Sequence, residues 1–451
     1  MNPTLDRPAP QHAAPLTLRG AAARVLIDNW TGASTVPSRT LYPHQWSWDS
    51  AFIAVGLRHL SARRAQQELE SLLAAQWADG RLPHIVFNPA VPDGAYFPSP
   101  DFWRSSRAGR AAGAPADPET SGVVQPPVHA LAAWLVHRAD REESRRRGFL
   151  ARVRPRLGAW HDYLLDRRDL GGGGLAAAVH PWEPGMDNSP CWDRPLQRVD
   201  PVPRGDYRRA DLDHGQPADR PTDMDYGRYV RLATDYRDAG YDDRSARHAF
   251  AVEDPAFNAL LIASERAMAA MAEESGADGS RHTARADALT GRLVARLWDE
   301  TAGVFRARDL AADALIEENS VSGLIPLLEP RLPRHVAHRL LQTLSGPRFT
   351  APGTCLPPSY DLTGHAYDPQ RYWRGPAWFN TAWLIHRALR AHGRDQDAAR
   401  LRRGFLREAE RSDFAEYVDS ATGAARGARR FSWTAALTLD LLCADPEEPT
   451  S

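Results

Sequence analysis

Lysine is absent from this 451-residue sequence, so all 56 of its basic residues are arginine. Cysteine is scarce, and Cys191, Cys355 and Cys443 are odd in number and far apart. This spacing matches neither a disulfide framework nor a zinc-ligand pattern. We therefore predict no metal site and no cofactor, and we expect a reducing, cytoplasmic setting.

Long apolar runs and an excess of positive charge are also missing. No stretch of about 18 apolar residues occurs, so no membrane span is predicted, and the N-terminal residues lack the apolar core of a signal peptide. The formal net charge is -1, which gives no basic surface for nucleic acid or for an anionic membrane. The expected partner is a small molecule, and the oligomeric state stays open, with a homo-oligomer as one alternative.

Helical periodicity dominates what is present. Residues 1–14 are Pro-rich and polar and are predicted to be a disordered tail, whereas residues 15–445 are predicted to form one domain. Almost no alternating strand pattern is found, so the fold class is all-α. We predict helices at residues 16–30, 51–60, 62–77, 129–137, 142–165, 226–239, 254–274, 281–299, 320–328, 334–344, 378–391, 395–412 and 431–442.

Long irregular stretches fall between alternate helices, at 81–124 and 180–222. Loops of this length are usually functional or disordered, and the aromatic residues in the first of them argue against disorder. Paired helices whose functional loops lie together at one end of the fold would give this alternation of helices and long loops. The loops 81–124 and 190–222 are expected to close over a small ligand.

The stretch YWRGPAWFN, residues 372–380, combines flat aromatic faces with hydrogen-bonding groups at the start of a helix. Gly375 and Pro376 break regular structure, so Tyr372 and Trp373 are predicted to lie in a loop before that helix. Indole faces cover the apolar face of a sugar ring, and Arg or Asn side chains bind its hydroxyls. A Trp-rich core corner is the alternative.

Two carboxylates on either side of one bond are required for glycoside hydrolysis. Asp187 is a candidate for the proton donor because the turn at Pro184-Gly185 presents it, and apolar neighbours at Trp182 and Met186 would raise its pKa. Glu183 competes for the same role. The structural alternative for Asp187 is an Asx-turn or a helix cap.

Glu416 is the second candidate, since a Glu between Phe414 and Tyr417 is unusual for a surface. Its alternative is a solvated helix end. Asp49, beside Trp48, is a candidate ligand of sugar hydroxyls or an N-cap, and Asp225 has the same ambiguity. Among the polar residues beside helix starts, Gln45 and Gln125 are either ligand-binding residues or caps.

Four motifs in this order resemble glycoside hydrolase family 63, and most closely its short bacterial branch of glucosylglycerate and mannosylglycerate hydrolases. They are YPHQWSWDSAF from Tyr42, HPWEPGMDNSPCWD at 180–193, YWRGPAW at 372–378 and FAEYVDSATG at 414–423. The resemblance covers about residues 15–445. It implies an (α/α)6 barrel with long loops over one end forming the active site, and an inverting mechanism.

The resemblance also implies residue roles. Asp187 is expected to be the general acid and Glu416 the general base. Arg220 is expected to pair with the glycerate carboxylate, since its fork matches a carboxylate. The further expected substrate-binding residues are Tyr42, Trp46, Trp48, Asp49, His84, Tyr96, Gln125, Trp182, Gly185, Tyr372, Trp373, Gly375 and Trp378.

Pro184 departs from the family pattern, which usually has Ser, and this leaves substrate identity open. A neutral-disaccharide or oligosaccharide α-glucosidase is one alternative function. A sugar epimerase that uses histidine pairs on the same kind of barrel is a second, and a non-catalytic sugar-binding protein is a third.

Overall fold

The computed structural model describes residues 17–443 except 93, 214–216, 245–247, 351–352 and 354–355. The predicted N-terminal tail and Cys355 lie outside the described residues.

Most of the described chain is helical. The α-helices are α1 (Leu18–Asp28), α2 (Ser47–Leu57), α3 (Ala62–Ala74), α4 (Pro100–Trp103), α5 (Ser105–Ala108), α6 (His129–Ala139), α7 (Arg141–Arg146), α8 (Phe149–Arg167), α9 (Asp193–Leu196), α10 (Asp223–Asp238), α11 (Pro255–Glu274), α12 (Ser280–Leu297), α13 (Arg334–Ser345), α14 (Phe379–Ala391), α15 (Asp395–Arg411) and α16 (Ser432–Cys443). The 3-10 segments are Arg110–Ala112, Pro190–Trp192, Arg204–Asp206, Ala210–Leu212, Pro217–Asp219 and Val321–Leu328.

Two concentric layers of helices form the molecule. Within the described residues, the inner ring closes in the order α2, α6, α11, the 3-10 segment Val321–Leu328, α14 and α16, and α16 packs back on α2. The outer layer consists of α1, α3, α8, α12, α13 and α15, each packed on the inner ring. This arrangement is an (α/α)6 barrel, which confirms the predicted fold class.

The sequence explains which helices lie inside. Every residue of α2 is buried, because it is apolar or small on all sides and packs between neighbours on every face. Outer helix α15 instead buries one stripe, which includes Ala398, Leu401 and Phe405, and exposes charged residues on its other face.

Short strands, each of two residues, are found at the ends of several helices. They are β1 (Gln45–Trp46), β2 (Ile85–Val86), β3 (Ala177–Ala178), β4 (Val252–Glu253), β5 (Trp298–Asp299), β6 (Val304–Phe305), β7 (Arg308–Asp309), β8 (Ala314–Leu315), β9 (Ala377–Trp378), β10 (Tyr417–Val418) and β11 (Ala425–Arg426). The antiparallel pairings β1–β2, β9–β10–β11, β3–β4–β7–β8 and β5–β6 join the loops to one another. In particular, β1 leads into α2 and β9 into α14, so they fix the loops at the start of two inner helices.

Three predicted helices differ most clearly from the observed ones. Helix 51–60 begins four residues earlier, at Ser47. The predicted helix 142–165 is two helices, α7 and α8, because Gly148 adopts φ 61° between them. Segment 320–328 is a 3-10 helix that contains Pro326, whose missing N–H is unsuited to an α-helical interior.

Candidate active site

A cavity lies where several inner helices begin. The first turns of α2 and α16, the residue before α14 and the segment before α6 all contribute to its wall. All predicted site residues except Gly375 line it: Tyr42, Trp46, Trp48, Asp49, His84, Tyr96, Gln125, Trp182, Gly185, Asp187, Arg220, Tyr372, Trp373, Trp378 and Glu416. Segments that are more than 370 positions apart thus meet at one end of the barrel.

Asp187 follows a turn that only glycine permits. Gly185 adopts φ 72°, and a Cβ there would lie 2.5 Å from the Trp48 ring. The predicted capping role of Asp187 is not observed, because Ser189 caps the next 3-10 segment. Burial raises the pKa of Asp187 to about 7; the nearby charge of Arg220 opposes this shift, and that of Glu416 adds to it.

Glu183, the rival for the proton-donor role, is occupied elsewhere. Its carboxylate forms a two-pronged ion pair with Arg168, with both N–O distances 2.7 Å, and neither side chain is exposed. It also accepts the backbone N–H groups of Val124 and Val179, at 3.1 and 2.6 Å. Glu183 does not line the cavity; it anchors the loop that carries Asp187.

Glu416 lies just before β10 and is held by three donors. Tyr42 Oη donates to Oε1 at 3.0 Å, Tyr372 Oη donates to the same oxygen at 3.3 Å, and Ala428 N–H donates to Oε2 at 3.1 Å. Burial raises the pKa of Glu416, while Arg220 and these three donors lower it. Glu416 is only 1% exposed, so the solvated helix end is not what forms.

Arg220 is fixed beside these groups. Its Nη1 donates to Tyr42 Oη at 3.2 Å, its Nε donates to Asp211 Oδ2 at 3.4 Å, and its guanidinium lies 4.6 Å from the centre of the Tyr372 ring. Within the described part of the chain, Nη2 has no acceptor. This nitrogen is available to a carboxylate in the cavity.

Trp378 presents an edge rather than a face to the cavity. Trp373 stacks on it at 3.9 Å with 5° between the planes, and Tyr417 stacks on it at 4.4 Å with 21°. Trp373 and Tyr417 make no ring contact with each other, so they cover opposite faces of Trp378. A sugar cannot stack on this indole.

The other aromatic wall combines edge-to-face and stacked contacts. Trp46 meets Tyr42 and Tyr96 at near-perpendicular angles, and Trp182 stacks on His84 at 6.1 Å. Burial lowers the pKa of His84 to about 3, and His180 contributes in the same direction. His84 is therefore neutral at physiological pH.

The ambiguous polar residues separate into two groups. Gln125 both caps α2, where its Oε1 accepts Trp48 N–H at 3.1 Å, and lines the cavity. Gln45 is directed away from the cavity, to Ser50, Glu68 and Ser71.

The structure also shows the positions of two acids, Asp49 and Asp225, that the sequence left ambiguous. Asp49 is not an N-cap, since it lies in the first turn of α2 and faces the cavity; burial and then the charge of Glu416 raise its pKa. Asp225 accepts from Thr222 Oγ1 at 2.7 Å in a cap of α10.

Gly375 supports the site from outside the cavity. Its N–H donates to Ser359 Oγ at 3.0 Å, and a Cβ would lie 2.5 Å from the carbonyl oxygen of Asp368. It is not among the residues that line the cavity, and the close backbone approach explains the glycine.

The lining residues that were not predicted include Asp211, Tyr226, Phe431 and Trp433. Phe431-Ser432-Trp433 repeats the aromatic-Ser-Trp pattern of residues 46–48 at the start of another inner helix. This repeated pattern could have identified Phe431 and Trp433 as site residues. Asp211 carried none, because it is one of several acids in a long irregular loop.

No group of His, Cys, Asp or Glu suited to a metal ion is found among the described residues. None of the described helices is long and apolar enough to cross a membrane.

Comparison with known proteins defines the class first. Residues 42–434 match the family described as "Mannosylglycerate hydrolase MGH1-like glycoside hydrolase domain". A mannosylglycerate hydrolase of Rubrobacter radiotolerans is 41% identical over 94% of this chain and 96% of its own length, and a glucosylglycerate hydrolase of Mycolicibacterium hassiacum is 38% identical over 95% and 98%. The fold and these matches define a glycoside hydrolase.

A solved structure indicates the family within the glycoside hydrolases. The family 63 mannosylglycerate hydrolase of Thermus thermophilus, in complex with Tris and D-glycerate, superposes with a TM-score of 0.85 at 39% identity, over 94% of this chain and 99% of that one. The chain belongs to the mannosylglycerate hydrolase MGH1-like family of glycoside hydrolases, within glycoside hydrolase family 63.

Proposed function

We propose that this enzyme hydrolyses the α-glycosidic bond of glucosylglycerate or mannosylglycerate, releasing the hexose and glycerate with inversion at the anomeric carbon. One observation carries the proposal. A single cavity is lined by Asp187, by Glu416 and by Arg220, whose Nη2 has no protein acceptor in the described chain.

Asp187 acts as the general acid. Its pKa of about 7 keeps a large fraction of the carboxyl protonated at neutral pH, and no neighbouring side chain donates to it among the described residues. Its proton passes to the glycosidic oxygen as the bond to the anomeric carbon breaks.

Glu416 acts as the general base. The donors Tyr42, Tyr372 and Ala428 N–H stabilise its ionised form, so it takes a proton from a water molecule that attacks the anomeric carbon on the opposite face. Inversion requires the two carboxyl groups to be about 6.5–9.5 Å apart, which leaves room for that water.

Substrate ends are assigned by chemistry. Arg220 binds the glycerate carboxylate, with Tyr42, Tyr96, Gln125 and Tyr372 around it. Trp48 and Asp49 bind the hexose, because an indole beside a carboxyl group matches the apolar face and the hydroxyl rim of a sugar.

The alternative functions are less well supported. A neutral disaccharide would leave Arg220 Nη2 without a charged acceptor, at a cost in binding. An epimerase of the expected type needs a histidine pair, and His84 is the single histidine among the described residues that line this cavity.

NMR of the anomer first released from glucosylglycerate and mannosylglycerate tests the reaction. We expect the β-anomer of the hexose to form before mutarotation. Initial release of the α-anomer would contradict the inverting assignment, and an epimerised product without glycerate release would contradict hydrolysis of this bond.

Arg220→Gln tests the carboxylate site. We expect kcat/KM to fall by roughly 10–100-fold for the glycerate substrate, as for loss of a charge-assisted hydrogen bond. The matched neutral substrate is the corresponding 2-O-glycosylglycerol, in which CH2OH replaces the carboxylate, and its kcat/KM should change much less. Equal losses on both substrates, or faster cleavage of trehalose or kojibiose by the unaltered enzyme, would favour the neutral α-glucosidase.

A further inference from the structure

Asp211 lies on the cavity wall beside Arg220 but is shared with a second arginine. Arg209 Nε donates to Oδ1 and Arg209 Nη2 donates to Oδ2, both at 2.8 Å. The same Oδ2 accepts Arg220 Nε at 3.4 Å. One carboxylate therefore joins two buried guanidinium groups.

Arg209 is itself immobilised. It is 3% exposed, it stacks on Tyr226 at 4.3 Å, and it donates to Pro221 O at 2.9 Å and to Asp223 Oδ1 at 2.8 Å. Because Arg209 holds both oxygens of Asp211, the position of Oδ2 is set from outside the cavity. Asp211 is consequently a rigid point of attachment for Arg220.

Arg220 is then held at three points. Asp211 binds Nε, Tyr42 binds Nη1, and the Tyr372 ring lies against the guanidinium. These contacts fix both the plane and the rotation of the fork, and they leave Nη2 for a ligand. A fork fixed in advance loses less conformational entropy when it pairs with a carboxylate.

We propose that Asp211 is a positioning residue that determines specificity for the anionic end of the substrate by fixing the Arg220 guanidinium with Nη2 directed into the cavity. Asp211 does not contact the substrate. This inference rests on the proposed role of Arg220 as the carboxylate-binding residue.

The electrostatic alternative predicts the opposite sign. If Asp211 merely neutralised Arg220, its removal would strengthen the attraction for an anionic substrate and lower its KM. If Asp211 fixes the fork, its removal raises that KM although a negative charge has been lost. The direction of the KM change therefore decides between the two.

Asp211→Asn is the direct test, measured with 2-O-glycosylglycerate and with neutral 2-O-glycosylglycerol. We expect KM for the glycerate to rise roughly tenfold, with kcat changed less than about twofold and KM for the neutral substrate nearly unchanged, as for loss of one charge-assisted contact. A lowered or unchanged KM for the glycerate overturns the proposal, as does an equal rise for both substrates.

Asp206→Asn is the matched control. Asp206 lies five positions earlier in the same loop, is exposed, and forms no side-chain hydrogen bond or ion pair within the described residues. It loses the same charge and should leave both KM values unchanged. A similar rise of the glycerate KM in this control would overturn the proposal, because the effect would then not be specific to Asp211.

Arg220→Lys provides a second test that leaves Asp211 and Arg209 intact. Lysine keeps the charge but lacks the Nε–H that Asp211 holds. We expect the KM for glycerate to rise by a similar factor, whereas unaltered KM would show that charge alone suffices and would overturn the proposal.

The results also separate this inference from the proposed function. If Arg220→Gln abolishes the preference for the glycerate substrate and Asp211→Asn does not, Arg220 still binds the carboxylate and the positioning role fails. If Arg220→Gln has no selective effect, the carboxylate site itself is wrongly assigned.

Discussion

Asp187 and Glu416 lie in one cavity, and burial raises the pKa of both, yet their surroundings differ. Glu416 accepts two phenol hydroxyls and a backbone N–H, whereas no neighbouring side chain in the described chain donates to Asp187. Desolvation alone would make both carboxyl groups neutral. The hydrogen-bond donors favour ionisation at one of them.

Two carboxyl groups with different proton affinities are what acid–base catalysis across a single bond needs. A further contrast is Glu183, only four residues before Asp187. Arg168 and two backbone N–H groups bind the Glu183 carboxylate, and this residue serves structure. The number of donors, rather than the sequence neighbourhood, separates the three acids.

Asp187→Asn should have the largest effect. Removing the proton donor is expected to lower kcat by roughly 10²–10⁴-fold or more while leaving hexose binding measurable by calorimetry, because the amide is nearly isosteric. Asp200→Asn, which neutralises an exposed acid of the following loop, is the control. Turnover within a few fold of the unaltered enzyme would remove Asp187 from the mechanism.

Glu183→Gln should instead reduce stability. Breaking a fully buried ion pair costs about 3–5 kcal/mol, and we expect the lower end because Arg168 also contacts Asp243 at 2.8 Å. Urea unfolding measures this loss, and turnover per folded molecule should persist. If turnover were lost while the free energy of unfolding stayed unchanged, Glu183 rather than Asp187 would be the general acid.

The pH profile of kcat/KM tests both protonation states at once. As the proposed general acid, Asp187 must be protonated, so activity should fall as pH rises through about 7. Glu416 must be ionised, so activity should also fall as pH decreases through its raised pKa.

Tyr42→Phe sharpens this test. Loss of the hydroxyl removes a donor that stabilises ionised Glu416, so the pKa of Glu416 should rise and the acidic limb should move to higher pH. Tyr226→Phe is the control, since that hydroxyl donates to Phe97 O in the same cavity wall. An acidic limb that moves equally in both variants, or in neither, would argue against Glu416 as the base.

Asp225→Asn should have the smallest effect. This acid accepts from Thr222 and lies 3.6 Å from Arg228 at the partly exposed start of α10. We expect a loss of less than about 1 kcal/mol by thermal unfolding and unchanged turnover. Thr222→Ala, which removes the N-cap oxygen itself, should cost about 1 kcal/mol. A large loss of activity from Asp225→Asn would show that the loop before α10 takes part in the reaction.

Much of the fold followed from local sequence. Apolar periodicity predicted nearly all of the long helices, because burial on one or more faces dictates residue type every three to four positions. The periodicity failed at Gly148 and Pro326, where the backbone conformation of these residues ended one helix and made another segment a 3-10 helix. The aromatic motifs were informative because large flat side chains next to turns have few other uses.

The remaining features depend on contacts between distant positions. Nothing in the sequence distinguishes Arg168 as the partner of Glu183, or Arg209 as the partner of Asp211, from the other arginines of a lysine-free chain. Trp378 looked available for stacking, and its coverage by Trp373 and Tyr417 depends on how β9 and β10 pair. Such pairings follow from the closed ring rather than from any single motif.

The 3-10 segment Val321–Leu328 has a consequence for how the barrel closes. At about 2.0 Å per residue, its eight residues span about 16 Å, nearly the length of the eleven-residue α2 and α6 at about 1.5 Å per residue. The 3-10 segment is longer per residue and narrower than an α-helix, so it spans the height of the barrel wall with fewer residues. Helices α11 and α14 pack on it from either side, so the ring is narrowest along its circumference where this segment lies.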